Sequence, residues 1–346
     1  MYTIPTLPLQ IDLESKAVLR QLNQANKKLA ELKGVALTIP NESILINTLI
    51  LQEAKESSAV ENIITTHDEL YKADAELRSF AASASTKEVV MYADALKRGF
   101  RSVPGTSLQN QRQEIVYTPP QHPDDIQRFM DNLVVYINDD AIEDIDPLIK
   151  LAIIHHQFES IHPFYDGNGR TGRIINSLYL VIKDLLDLPI LYLSRYIIQN
   201  KGEYYRLIQS VRDSGDWESW VLYILRGIDA TATETIILVK QTKILMQEYK
   251  VKMRNCLEKQ YSHELLNNIF SHPYTKIEFV MNDIKVSRIT AAKYLNKLVE
   301  HGLLEKVKMG TSNFYLNPEL TRLLINHSEN QNIEGFEAIE SISKMI

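Results

Sequence analysis

The sequence predicts a mostly α-helical protein with a hairpin in its middle and a small helix-and-strand module at its end. Three observations carry that expectation. Apolar residues recur at helical spacing through most of the chain. A stretch rich in Pro, Gly, Gln and Ser, RSVPGTSLQNQRQEIVYTPPQ, breaks that pattern. From about residue 262, three short helical segments lead into two short strands around Gly310.

The elements follow in order. LESKAVLRQLNQANKKLAELKG reads as a helix that stops at Gly34. After Pro40-Asn41 a second helix runs through ILINTLILQEAKESSAVEN, and helical pattern returns around 64–80 and 86–98. The break then has β-prone pieces at Phe100–Val103 and Ile115–Tyr117, which read as a hairpin or a long functional loop over about 100–120. Helix resumes at 123–138, started by His122-Pro123-Asp124-Asp125. Another spans about 146–160, with Leu148, Leu151, Ile154 and Phe158 as its expected buried stripe. The stretch HPFYDGNGRTGR, 162–173, interrupts the helices before IINSLYLVIKDLL starts a new one. Tyr204-Tyr205 falls on a further short helix, and a long helical region covers about 217–258. At the end, LLNNIF, KIEFVMNDIKVS and SRITAAKYLNKLVEHG, followed by LLEKVKMGTSNFYLNP, have the order of a winged helix. The expected division is 1–99 N-terminal helices, 100–258 core, 259–326 winged helix and 327–346 a loosely ordered acidic tail.

Composition bounds the function. At 346 residues the chain has room for two or three modest domains. A formal net charge of −6 makes the whole molecule no electrostatic magnet for nucleic acid or anionic membrane. The one cysteine, Cys256, excludes an intramolecular disulfide and a cysteine-based zinc site, and its helical setting reads as packing. The start lacks the order of a signal peptide, and no apolar run approaches the ~20 residues of a membrane span. The expected address is the cytoplasm, with no membrane partner.

HPFYDGNGRTGR carries the chemistry. Gly167-Asn168-Gly169 falls at a helix N-terminus, where unpaired backbone N–H groups and the positive dipole end attract anions. Glycines let that backbone approach a phosphate, and Asn168 is expected to add its side-chain amide. Arg170 and Arg173 are three apart on one helical face, so both guanidiniums can reach one polyphosphate. Asp166 would repel a bare phosphate but can hold Mg²⁺ bridging two phosphates. His162 stands where a base would take a proton from an attacking hydroxyl. Phe164 reads as the apolar peg of the loop. A plain glycine turn with solvated arginines explains too few of these residues, and no Lys-Ser/Thr pair follows the glycines as a P-loop would require.

This stretch resembles the signature of the Fic family, His-x-Phe-x-Asp/Glu-Gly-Asn-Gly-Arg-x-x-Arg, with every defined position present, and FESIHPF before it resembles the family too. The similarity extends from about residue 5 to the C-terminal module. The resemblance implies a Fic-type helical bundle with a β-hairpin flap and a C-terminal winged helix-turn-helix domain. It implies transfer of AMP from ATP to a Ser, Thr or Tyr hydroxyl of a protein, including the enzyme itself, with pyrophosphate released. His162 would be the base and Asp166 the Mg²⁺ ligand. Gly167, Asn168, Gly169, Arg170, Thr171, Gly172 and Arg173 would hold the nucleotide, Arg173 gripping the γ-phosphate. Segment 100–120 resembles the family's flap, which aligns a target peptide as an added strand, with Ile115, Val116 and Tyr117 as its candidates. Tyr204 or Tyr205 resembles the tyrosine near the adenosine; adjacent aromatics on a helix are also ordinary packing.

SSAVEN, 57–62, is a polar helix edge by itself. Beside a Fic loop it resembles the inhibitory pattern Ser/Thr-x-x-x-Glu-Gly/Asn, on an inhibitory helix at about 42–62 that precedes the active loop. Ser57 and Glu61 are then inhibitory, with Glu61 pairing with Arg173. His155, His156, Glu159 and His162 invite a metal reading, but their spacing is not His-Glu-x-x-His, and packing is the preferred account. Lys285, Arg288, Lys293, Lys297, Lys306 and Lys308 give the C-terminal module a DNA-reading or protein-contact face. The alternative function is therefore a winged-helix transcription regulator with a nucleotide-sensing core, or a transferase using another donor. Relatives often dimerise, which makes a homodimer a further expectation.

Overall fold

The computed structural model describes residues 2–66, 69–70, 108–109, 115–309 and 312–329. The helical patterns at 64–80 and 86–98, the piece Phe100–Val103, most of segment 100–120 and the tail from 330 fall wholly or largely outside them. The chain forms two compact units.

The first unit comprises 2–35, 53–65 and, of the described residues, 108–236. Its elements are α1 (Lys16–Ala36) as far as Val35, the end of α2 (Glu42–Val60), and an antiparallel pair β1 (Leu108–Gln109) and β2 (Ile115–Tyr117). Next come α3 (Pro123–Asn138), α4 (Pro147–Ile161), α5 (Asn168–Ile182), α6 (Ser194–Gln199), α7 (Lys201–Ser214) and α8 (Trp217–Leu257) as far as Ile236. Helix α1 continues two residues past Gly34, which keeps helical geometry instead of stopping the helix.

Helix α4 organises this unit. Asp146 accepts from Leu148 N at 2.8 Å and Pro147 fills the first turn, where its missing N–H is not needed. The expected buried stripe is replaced by burial all round, from Leu148 to Ile161. Its polar residues allow this because they find partners inside the unit. Gln157 donates to Pro5 O at 2.8 Å and His156 Nε2 lies 3.2 Å from Ile208 O. Trp220 of α8 donates to Ala152 O at 2.8 Å and stacks flat on His155, ring centroids 5.9 Å apart. An aromatic cluster thus lies against α4 within a largely aliphatic core.

The second unit comprises 36–52 and, beyond Ile236, the remaining described residues through 329, besides a few near 66–70. After α8 come α9 (His263–Ser271), β3 (Tyr274–Thr275), α10 (Ile277–Ile284), α11 (Arg288–Glu300), β4 (Glu305–Met309), β5 (Ser312–Leu316) and α12 (Pro318–Glu329). Ser262 and Ser287 cap α9 and α11 by accepting from Leu265 N and Thr290 N. The sheet is antiparallel in the order β3-β5-β4, with Val307 opposite Phe314 and Tyr274 opposite Leu316. Leu265, Ile269, Phe270, Val280, Leu295, Leu298 and Phe314 form its core. Strand β3 and helix α12 are additions to the sequence expectation. Two residues are too few for an alternating pattern, whereas α12 has buried Leu320 and Leu324, with Gln52 donating to Leu324 O.

Candidate active site

The turn between α4 and α5 begins with an unusual backbone. His162 ends α4 in the left-handed region, φ 50°, with its N–H donated to Phe158 O at 3.0 Å. A non-glycine residue there costs about 1 kcal/mol, so the surrounding contacts must hold it. Pro163 prevents the helix from continuing. Phe164 is buried against Phe158, centroids 6.0 Å apart, as the expected peg. Gly167, φ 80°, then caps α5, which starts at Asn168.

Asn168 differs from expectation. Its side-chain Oδ1 accepts from Phe164 N at 2.8 Å and its Nδ2 donates to Phe164 O at 2.7 Å. Both ends of the amide therefore pin the loop, and what Asn168 offers an anion is its backbone N–H. Thr171 closes the first turn with Oγ1 donating to Gly167 O at 2.9 Å. The two arginines also take different partners. Arg170 folds back to Asp166 Oδ2 at 3.2 Å, while Asp166 Oδ1 accepts from Gly167 N. Arg173 turns toward α2.

There Arg173 is almost fully enclosed, its side chain 1% exposed. Nε donates to Ser57 Oγ at 2.8 Å, and Nη2 donates to Ser57 O at 2.8 Å and Glu61 Oε1 at 3.0 Å. The Glu61 carboxylate, 32% exposed, lies over the first turn of α5: a Cβ added to Gly169 would land on Glu61 Oε1. A side-chain carboxylate thus lies at a helix N-terminus, where unpaired N–H groups favour negative charge. Asn62, φ 63°, supplies the left-handed residue just past α2, with Oδ1 accepting from Lys201 Nζ at 2.9 Å. Ser57, Glu61 and Asn62 are consequently all used.

Beneath the loop, α4 and α5 approach closely at Gly172. A Cβ there would meet Glu159 Oε1 at 2.9 Å and the His155 ring at 3.3 Å. This glycine is a close-approach residue. Glu159 is deeply buried, and burial pushes its carboxyl up to about 7 despite Arg173; Glu61 pushes it the same way and Arg212 opposes. His155 is held down at about 3, by burial first and then by Arg173. Its Nε2 is 2.9 Å from Tyr204 Oη and its Nδ1 3.1 Å from Asn176 Nδ2. Both His155 and His156 therefore sit in the aromatic core, in line with the packing account.

His162 itself is held down at about 4. Burial is the main cause, followed by the Arg212 cation, against which Glu61, the Glu159 backbone and Asp166 act. At neutral pH the imidazole is uncharged, the form able to accept a proton. Arg212 of α7 was missed by sequence reasoning. It lies on the buried stripe with Tyr204 and Ile208, four residues apart at each step, and that spacing was the available signal.

The structure separates the two tyrosines. Tyr204 is 2% exposed, with its hydroxyl at His155, which makes it a core residue and unavailable to a ligand. Tyr205 is 47% exposed, and Glu61 contributes to raising its hydroxyl pKa above the usual value, after burial. Tyr117 likewise turns inward: it is buried and its hydroxyl donates to Ser160 O at 2.8 Å. The side chains of Ile115 and Val116 lie outside the described residues; their backbone is in β2.

Comparisons with known proteins place this geometry. Residues 19–101 match the Fic/DOC family N-terminal model, and 245–320 match the C-terminal domain of SoFic-like protein adenylyltransferases. Protein adenylyltransferase fic-1 of Caenorhabditis elegans is 28% identical over 187 residues, 51% of this chain and 35% of that protein. Protein adenylyltransferase Fic of Drosophila erecta is 22% identical over 226 residues, 62% of this chain and 43% of that one. The matched stretch thus covers less than half of these relatives' own length. A Fic family protein from Desulfovibrio desulfuricans G20 superposes with a TM-score of 0.53 at 19% identity, covering 89% of this chain and 97% of that chain. Fic-1 from C. elegans gives 0.50 at 18% identity, over 65% and 74%. The mostly helical fold is that of Fic proteins. Both ends of the chain thus match models of Fic-type proteins, and half or more of its length aligns with protein adenylyltransferases of that type.

Proposed function

We propose that the protein is an adenylyltransferase that moves AMP from ATP onto a hydroxyl side chain of a protein, and that its own α2 holds it inactive. The observation that carries this reading is the Glu61 carboxylate bonded to Arg173 above Gly169. An anion already sits where a helix end and an arginine would grip a phosphate.

In the reaction, His162 takes the proton of the attacking hydroxyl. The hydroxyl oxygen forms a bond to the α-phosphorus while the bond from that phosphorus to the bridging oxygen breaks, and pyrophosphate leaves. The backbone N–H groups of Asn168 and Gly169 and the guanidinium of Arg173 stabilise the charge that develops. Asp166 suits Mg²⁺ in the manner of sites with one protein carboxylate and substrate phosphates. Its side chain is largely exposed, and one carboxylate oxygen is shared with Arg170. Such an ion supplies charge neutralisation across the phosphates. Tyr205, open to solvent near Glu61, is the better candidate to face the adenosine.

Intact-mass measurement of Glu61→Gly after incubation with Mg²⁺ and each nucleotide tests the reading. An AMP-sized adduct with ATP supports it; adducts with another donor alone would replace ATP; no adduct with any would sink the transferase. A regulator reading draws on the second unit, where helices α9–α11 and the sheet β3-β5-β4 are read as a winged helix. Helix α11 exposes Arg288, Ile289 and Lys293 and has no acid in its first turn. Salt-dependent binding of duplex DNA by the full chain, lost in Arg288→Ala/Lys293→Ala, would favour it.

A further inference from the structure

We propose that Arg212 is a positioning residue: one buried guanidinium holds both the end of α4 that carries His162 and the strand β2. The inference rests on the transferase reading for its kinetic consequences, but its geometry stands independently.

Arg212 touches two elements, and a further contact joins those two to each other. Its Nε and Nη2 lie 3.3 and 3.2 Å from Ser160 Oγ, and Nη2 donates to Glu159 O at 3.4 Å. These groups belong to the last turn of α4, where carbonyls lack helical partners and a cation is favoured by the dipole. Next, Arg212 Cζ lies over the Tyr117 ring, 3.8 Å from its centroid, a close cation–π contact. Lastly, Tyr117 donates to Ser160 O, so β2 is tied to the same turn that the arginine holds.

The site's base and its hairpin strand are thereby referred to one point. His162 adopts its left-handed backbone two residues after Ser160, a conformation that costs a residue with a Cβ about 1 kcal/mol. A forked, planar cation that both bonds and stacks is what arginine offers and lysine does not. The charge also faces the imidazole. Groups acting on His162 are Arg212 from α7, Glu61 from beyond α2, the Glu159 backbone from α4, and Asp166 from the loop. Arg212 is the cation among them, so its removal makes the imidazole easier to protonate.

The test uses the full chain, with Arg212→Met to keep the stem and lose the charge, and Arg212→Lys to keep the charge and lose the fork. His162 titration is followed by NMR of labelled histidine, assigned by the signal missing in His162→Ala. Activity is read as self-modification in the Glu61→Gly background against pH. Arg212→Met should raise the pH at which His162 titrates, and move the acid limb of the rate upward with it. It should lower kcat by about 10–100-fold, since small misplacements of reacting groups cost that much, with KM for ATP within about twofold. Arg212→Lys should restore the pH position but not kcat. An unmoved His162 titration in a folded Arg212→Met protein overturns the proposal, even if its melting temperature falls. Should Arg212→Met fail to fold, Arg212→Lys decides: wild-type kcat in that variant overturns it too. Silence of Glu61→Gly itself would remove the transferase reading while leaving the titration to judge Arg212.

Discussion

The loop between α4 and α5 is closed on two sides by an arginine, and the two closures differ in kind. Arg173 meets side-chain and backbone groups of α2, including an exposed carboxylate that water can reach. Arg212 meets the end of α4 itself and an aromatic ring. On the proposed reading, the first set of contacts is exchanged for a phosphate when ATP binds. The second cannot be exchanged without moving the residue that would act as base. One arginine therefore looks like a switch contact and the other like a mounting.

Breaking each side separates these roles. The largest effect is expected between them: His162→Ala in the Glu61→Gly background should lower transfer by about 10²–10⁴, the range for loss of a positioned base, with ATP binding retained in calorimetry. Retained activity would remove His162 from the mechanism. On the Arg173 side, Glu61→Gly should raise self-modification by about 10–100-fold, because a hydrogen bond to a charged group contributes about 1.5–3 kcal/mol. Equal rates in wild type and variant would leave the pair without inhibitory meaning. Beneath both sides, Gly172→Ala should cost about 1–3 kcal/mol through overpacking against Glu159 and His155, read as a lower urea midpoint. An unchanged midpoint would show that α4 and α5 can part there freely.

The smallest effect is on pH dependence. His162 has its folded pKa lowered from 6.5 to about 4, so the unfolded chain binds a proton that the native one refuses. Stability from this group is present above pH 6.5 and lost as pH falls toward 4. Glu159 acts oppositely. Its folded pKa is raised from 4.5 to about 7, so the native state keeps a proton that the unfolded chain releases, and stability falls as pH rises between those values. Glu159→Gln should remove the second trend. Its stability relative to wild type should therefore climb from pH 5 to 8 in urea unfolding; a difference that stays flat across that range would contradict the assignment.

What was readable in the sequence followed from how local the physics is. His162, Gly167, Asn168 and Arg173 lie within one turn and the helix it starts, so their spacing alone brought them to one helix end. The Ser57–Glu61 spacing was also local, although its partner lies more than a hundred residues away; a family resemblance had to supply it. Arg212 reaches Ser160 across 52 residues, and no short pattern announces such a contact. The side-chain role expected for Asn168 differs because an amide beside glycines suggests a ligand, while the loop uses both of its ends for Phe164. Tyr204 and Tyr205 are indistinguishable by type, and only burial separates them. The α4 stripe was expected because amphipathic helices are the rule; internal partners for its polar residues made a fully buried helix possible instead.

Glu61 reaches Arg173 from the same chain, so on the proposed reading it is a tethered competitor of any incoming phosphate. Its effective concentration is set by the tether, so dilution of the protein should leave the proposed inhibition unchanged. The apparent affinity for the nucleotide is the intrinsic one scaled by the fraction of molecules with the arginine vacated. Anything that draws the end of α2 away by binding it should therefore tighten ATP, and ATP should loosen α2 by the same factor.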